Sequence, residues 1–140
     1  MFLYHYCKKI NNDTFDEKIP FSKLNDLIEK FKLKESYHIK EYWMNNVQII
    51  NKRDKLTFTY IEDLDISYDE KNNFLIQEYI ETPCKSFNFY ETDLEDNYLL
   101  YENIINDITV YLKKYNNYLS VEFICDNKEK FNDFFYINNI

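Results

Sequence analysis

The chain has no glycine and no alanine, a single arginine (Arg53) and two prolines among its 140 residues. The missing glycine excludes several mechanisms. A glycine-rich phosphate loop, a dinucleotide fingerprint and a nucleophile elbow all need backbone room that only glycine leaves. Turns must also be built without the residue that adopts positive φ at least cost. Asparagine is the usual substitute. The pairs Asn11-Asn12, Asn45-Asn46, Asn72-Asn73, Asn116-Asn117 and Asn138-Asn139 are therefore the expected turn and end markers.

No run of 18 apolar residues occurs, so no membrane-spanning helix is expected. The first residues, MFLYHYCKKINND, carry their charges after the apolar stretch, the reverse of a signal peptide. A cytoplasmic protein is the expectation. The cysteines are few and scattered (Cys7, Cys84 and Cys125), so buried free thiols are expected rather than a disulfide framework. His5, Cys7, Cys84 and Cys125 could in number supply four zinc ligands, but no close Cys pair supports it. TPCKSF lacks the second cysteine of a zinc-deaminase motif, and the chain has no His-x-Glu. DLDISYDEKNNF fails as a calcium loop, with Tyr68 where glycine is needed and Phe74 where a bidentate glutamate is needed. The five serines have no triad context. No catalytic residue, metal or cofactor is expected.

What is abundant is asparagine (18), isoleucine (16) and lysine (16). All three have AT-rich codons and the scarce residues have GC-rich ones. This points to an AT-rich genome, that of a low-GC bacterium, its phage or plasmid, or a large DNA virus. An apolar fraction of 45% fits a globular protein, and the length fits a single domain over 1–140.

The pattern along the chain predicts the order β-α-β-β-β-β-β-α-β-α. MFLYHYC reads as a strand, and residues 21–33 as a helix with Leu24, Leu27, Ile28 and Phe31 on one face. YHIKEYWM and VQII read as strands joined at Asn45-Asn46. LTFTYI and LDISYD continue extended, and EKNN turns into FLIQEYI. SFNFY and LSVEFIC are further strands, and Asp126 with Glu129 starts a short last helix. A long helix is predicted over 93–115, with Thr92 as N-cap and Glu95 completing a capping box. Leu94, Tyr98, Tyr101, Ile105, Ile108 and Leu112 would line its buried face. The fold class expected is α+β, a mainly antiparallel sheet with two or three helices packed on one face.

Net charge is −8 and unevenly spread. Residues 57–103 hold 12 acids against Lys71 and Lys85, while the rest of the chain is slightly basic. Asp93, Glu95 and Asp96 have a structural explanation as helix-start residues. The run EDLDISYDE has none. As a strand it would turn Leu64, Ile66 and Tyr68 to the core and set Asp63, Asp65 and Asp69 together on the other face. Like charges in a row repel, and aspartate is a poor strand former. A charged edge that resists aggregation is the plain alternative.

Such a negative face opposes nucleic-acid binding and suits a basic protein surface. The expected function is therefore binding and neutralising a basic, nucleic-acid-acting protein. A toxin nuclease or a nucleic-acid-cutting defence effector would be such a target. The expected contact residues are Glu62, Asp63, Asp65, Asp69, Glu70, Glu91, Asp93, Glu95 and Asp96, with anchors among Tyr60, Tyr68, Tyr79, Tyr90 and Tyr98. The alternatives are a carboxylate-metal enzyme, if Asp63, Asp65 or Asp69 converges with a histidine, and a viral or host-interaction subunit.

Overall fold

A computed structural model describes residues 2–11, 24–69, 74–85, 95–116 and 118–138. Its elements are β1 (Phe2–Asn11), α1 (Leu24–Phe31), β2 (Lys34–Met44), β3 (Val47–Lys52), β4 (Lys55–Asp69), β5 (Phe74–Cys84), β6 (Glu95–Ile105), β7 (Ile108–Lys114), β8 (Tyr118–Cys125) and α2 (Lys128–Ile137). The eight strands close into an antiparallel barrel in the order β1-β5-β4-β3-β2-β6-β7-β8. Closure comes from pairings distant in sequence: β1 with β5 and β8, and β2 with β6. The mainly antiparallel sheet is as expected, but it dominates the chain and has an inside and an outside rather than an open face for helices.

Three two-residue turns join β2 to β3, β3 to β4 and β6 to β7. Arg53, Asp54, Asn106 and Asp107 all have positive φ, as does Asn45. Pairs of positive φ are the backbone of the hairpin turn that matches strand twist. Asparagine and aspartate take this conformation more readily than other residues, whereas Arg53 bears a cost of about 1–2 kcal/mol. At Arg53 a cation–π contact offsets part of this, because its guanidinium lies 3.4 Å from the Tyr37 ring centroid. Lys32, with φ of 50°, ends α1 in the left-handed conformation where glycine is usual. The Leu33 N–H then donates back to the Ile28 carbonyl at 2.9 Å.

The main core lies outside the barrel. Leu27 and Phe31 of α1 and Phe131 and Phe134 of α2 join Phe74, Ile108, Val110, Leu112, Leu119, Val121, Phe123 and Cys125 from β5, β7 and β8. Alternate residues of β7 and β8 point the other way, so both strands are covered on both sides. The side chain of Asn127 caps α2 by accepting from the Glu129 N–H at 2.9 Å, the role that the sequence suggested for Asp126.

The largest correction concerns residues 93–115. No helix occupies the described part of this stretch. It forms β6, the Asn106-Asp107 turn and β7. The apolar spacing fits a helix and a strand at once, but burial alternates with period two: Tyr98 and Leu100, then Ile108, Val110 and Leu112. The isoleucines and valine favour a pleated surface, and the turn breaks any helix. Thr92 itself lies outside the described residues, as do Asn72-Asn73 and SFNFY. With no helix after it, the capping explanation of Glu95 falls.

Candidate functional site

The first candidate is the outer part of β4. Strand β3 pairs with β4 only from Lys55 to Tyr60, and the last bond on that edge runs from the Ile61 N–H to the Asn46 carbonyl. Among the described residues no strand pairs with that edge of β4 from 62 to 69. On the opposite edge β4 stays paired with β5 as far as Asp69.

A bulge sits in this stretch. Asp63 lies opposite Tyr79 and Asp65 opposite Glu78, so Leu64 is the extra residue. One extra residue flips every side chain beyond it. The three aspartates expected on one face are therefore divided. Asp63 turns to the barrel interior and accepts a hydrogen bond from the Gln77 side chain. Asp65 and Asp69 turn outward. Leu64, Ile66 and Tyr68 were expected in the core and are exposed instead, Ile66 at 58% and Tyr68 at 55%. Tyr60 and Leu75 of the same hairpin are exposed as well. The carboxylates of Asp65 and Glu78 face each other directly across β4 and β5. Like charges so placed destabilise a sheet.

The other expected contact residues do not join this surface. Glu62 belongs to it, but Glu95 and Asp96 lie on β6, with β3 and β2 intervening in the sheet. Glu95 is 3.8 Å from Lys40. Glu70, Glu91 and Asp93 lie outside the described residues. Of the tyrosines, Tyr60 and Tyr68 are exposed, Tyr79 and Tyr98 are buried, and Tyr90 is not described.

The second candidate was not legible as a site in the sequence. The barrel interior contains a cavity of about 770 Å³. It is lined by the ends of strands next to the β2–β3 and β6–β7 turns. The opposite half of the interior is filled by Ile39, Tyr98 and Leu100 with Tyr37, Ile50, Tyr111 and Tyr115. The result is a cup with an aromatic floor.

Its walls carry buried charge. Lys113 Nζ lies 3.1 Å from both oxygens of Glu122, and His5 Nε2 lies 3.4 Å from Oε1 of the same carboxylate. Burial alone would raise the carboxyl, but His5 and Lys113 overcome it and hold Glu122 at about 2. His5 Nδ1 is 3.3 Å from Gln77 Oε1, which extends the network to Asp63. Glu41 is held differently, by three neutral donors: Tyr98 Oη at 2.9 Å, Trp43 Nε1 at 3.0 Å and Gln48 Nε2 at 3.3 Å. Three donors aimed at one carboxyl match its ionised, acceptor-only form. Burial, then the charge of Glu41, pushes the Tyr98 phenol far above its usual range, so it stays a donor. Burial also raises Tyr79 and Tyr111, with Glu81 adding to the rise at Tyr79 and Glu102 at Tyr111.

The signal for this site was present but ambiguous. Glu122 stands between Val121 and Phe123 in an otherwise apolar strand, and Glu41 stands between Lys40 and Tyr42. In an open sheet such residues face water. Closure turns them inward. Of the four residues that could in number make a zinc site, His5, Cys84 and Cys125 form no ligand group, and the Cys7 side chain lies outside the described ones. Cys84 is half-buried and its Sγ lies 3.9 Å from the Thr82 carbonyl. Among the described residues no group of three or more His, Cys, Asp and Glu side chains could hold a metal, and no helix is long and apolar enough to cross a membrane. Comparison with protein-family models, with curated proteins and with solved structures finds no match to this chain.

Proposed function

We propose that this chain acts by binding a basic protein through the outer edge of β4, residues 62–69. The observation that carries the reading is the like-charge pair Asp65–Glu78 beside an edge, 62–68, with which no described strand pairs, together with exposed Leu64, Ile66 and Tyr68. Stability alone disfavours that combination. A long exposed edge invites strand addition, and lysine is the usual guard against it. Here the guards are carboxylates, which repel acidic strands and favour a basic one. Main-chain bonds would supply affinity, and the exposed Ile66 and Tyr68 would supply anchors. A nuclease or other nucleic-acid-acting effector has the complementary charge, so toxin neutralisation or blocking of a defence nuclease is the role we infer.

The test uses the full chain as bait in a lysate of the organism of origin, followed by association kinetics on the captured protein. Asp65→Lys with Asp69→Lys reverses the local charge and should slow association at least roughly tenfold, because steering acts on the encounter rate. The parent rate should fall as salt shortens the Debye length from about 30 to about 8 Å. A rate indifferent to both the substitutions and the salt would sink the proposal. The identity of the captured protein separates a nuclease target from a host-interaction role.

A further inference from the structure

We propose that the cup inside the barrel binds a small organic cation, an alkylammonium head of modest size, independently of the β4 edge. The cavity is large enough for a small metabolite and is walled by side chains from seven of the eight strands. Its charge is not balanced. Five carboxylates line it (Glu41, Glu81, Asp107, Glu122 and Asp126), against Lys113, Lys130 and His5.

The pairing is selective. Glu122 is matched by Lys113 and His5. Lys130 reaches Asp107 at 3.5 Å and Asp126 at 3.7 Å. Glu41 and Glu81 have no cationic partner among the described residues. Glu41 is only 8% exposed, and its three donors are neutral, so they orient the carboxylate without cancelling its charge. A buried negative charge left in this way is costly unless a cation completes it.

Aromatic rings stand beside these carboxylates. Trp43 donates to Glu41 and also lines the cup, as do Tyr79 and Tyr111. Ring faces attract cations, and most strongly where water is excluded. Inside the barrel Lys113 Nζ already lies 5.1 Å from the Tyr98 ring centroid. Carboxylates with aromatic walls and no spare ammonium suit a cation and disfavour an anion. Trp43, which lines the cavity and is 40% exposed, stands where it meets solvent.

The experiment is calorimetric titration of the purified chain with choline, with its uncharged isostere 3,3-dimethylbutan-1-ol, and with acetate. Choline should bind saturably. The neutral isostere should bind roughly tenfold more weakly or not at all, since it fills the same volume without the charge. Glu41→Gln should abolish choline binding. Glu81→Gln, at a half-buried position without that hydrogen-bond set, serves the same purpose if the first variant does not fold. Asp65→Lys with Asp69→Lys should bind choline as the parent does, so failure of the β4 proposal and failure of this one are distinguishable. No choline binding, equal binding of the isostere, or preferential binding of acetate each overturns the inference.

Discussion

Phe123→Ala should destabilise the protein by about 3–5 kcal/mol, the range for deleting a buried phenylalanine ring. Phe123 is 2% exposed and is a hub. Its ring centroid lies 5.3 Å from Phe135, 5.5 Å from Phe134, 5.8 Å from Phe31 and 6.3 Å from Phe74. The substitution therefore loosens α1, α2 and β5 together from β8. Against a total stability of about 5–15 kcal/mol, this is a large fraction. Denaturant unfolding followed by circular dichroism measures it. Tyr136→Ala, at a residue 86% exposed, should change stability by no more than about 0.5 kcal/mol. A loss below about 1 kcal/mol for Phe123→Ala would show that the helices are not anchored on the barrel in this way.

The second large effect concerns Glu122. Glu122→Gln keeps the shape but removes the carboxylate that both Lys113 and His5 face, which should cost about 3–5 kcal/mol. The parent should also show a pH signature. The carboxyl of Glu122 is held at about 2 in the folded chain, against an ordinary value of 4.5. A group whose folded value is depressed stabilises fully above its unfolded value. That stabilisation, about 3 kcal/mol, disappears as pH falls from about 4.5 through about 2. Unfolding free energies between pH 2 and 6 measure it. Glu122→Gln should flatten the part of the profile that Glu122 carries, and a variant profile parallel to the parent's would remove the ion pair from the account.

Local pattern was legible in β1 to β5 and in β8 because alternation and turn residues agreed. VQII, FLIQEYI and LSVEFIC alternate or run apolar between polar turns, and Asn45-Asn46 marks its hairpin. In β6 and β7 the same signals conflicted. TDLEDN imitates a helix start, and the apolar residues from Tyr98 to Leu112 fit either period. Asn106-Asp107 was the decisive turn, yet without glycine it looks like any polar pair within a helix. Barrel closure was hidden for a different reason. It depends on β1 reaching both β5 and β8, and no local pattern encodes that. The cup followed closure out of sight, since the inward position of Glu41 and Glu122 exists only once the sheet is shut. At the acidic segment the charge was visible, but the bulge at Leu64 was not. That single extra residue kept Asp63 on the inner face and turned Asp65 and Asp69 to the outer one.

The central claim is that the outer edge of β4 is the docking surface, and amide hydrogen exchange on the free chain and on its complex with the captured partner tests it most directly. In the free chain, the amides on the outer edge of 62–68, with which no described strand pairs, should exchange fast beside the slow amides of β7 and β8. In the complex, protection should appear at 62–69 and on the facing hairpin strand, with β7 and β8 unchanged. Protection confined to another surface, with 62–69 exchanging as fast as before, would contradict the account.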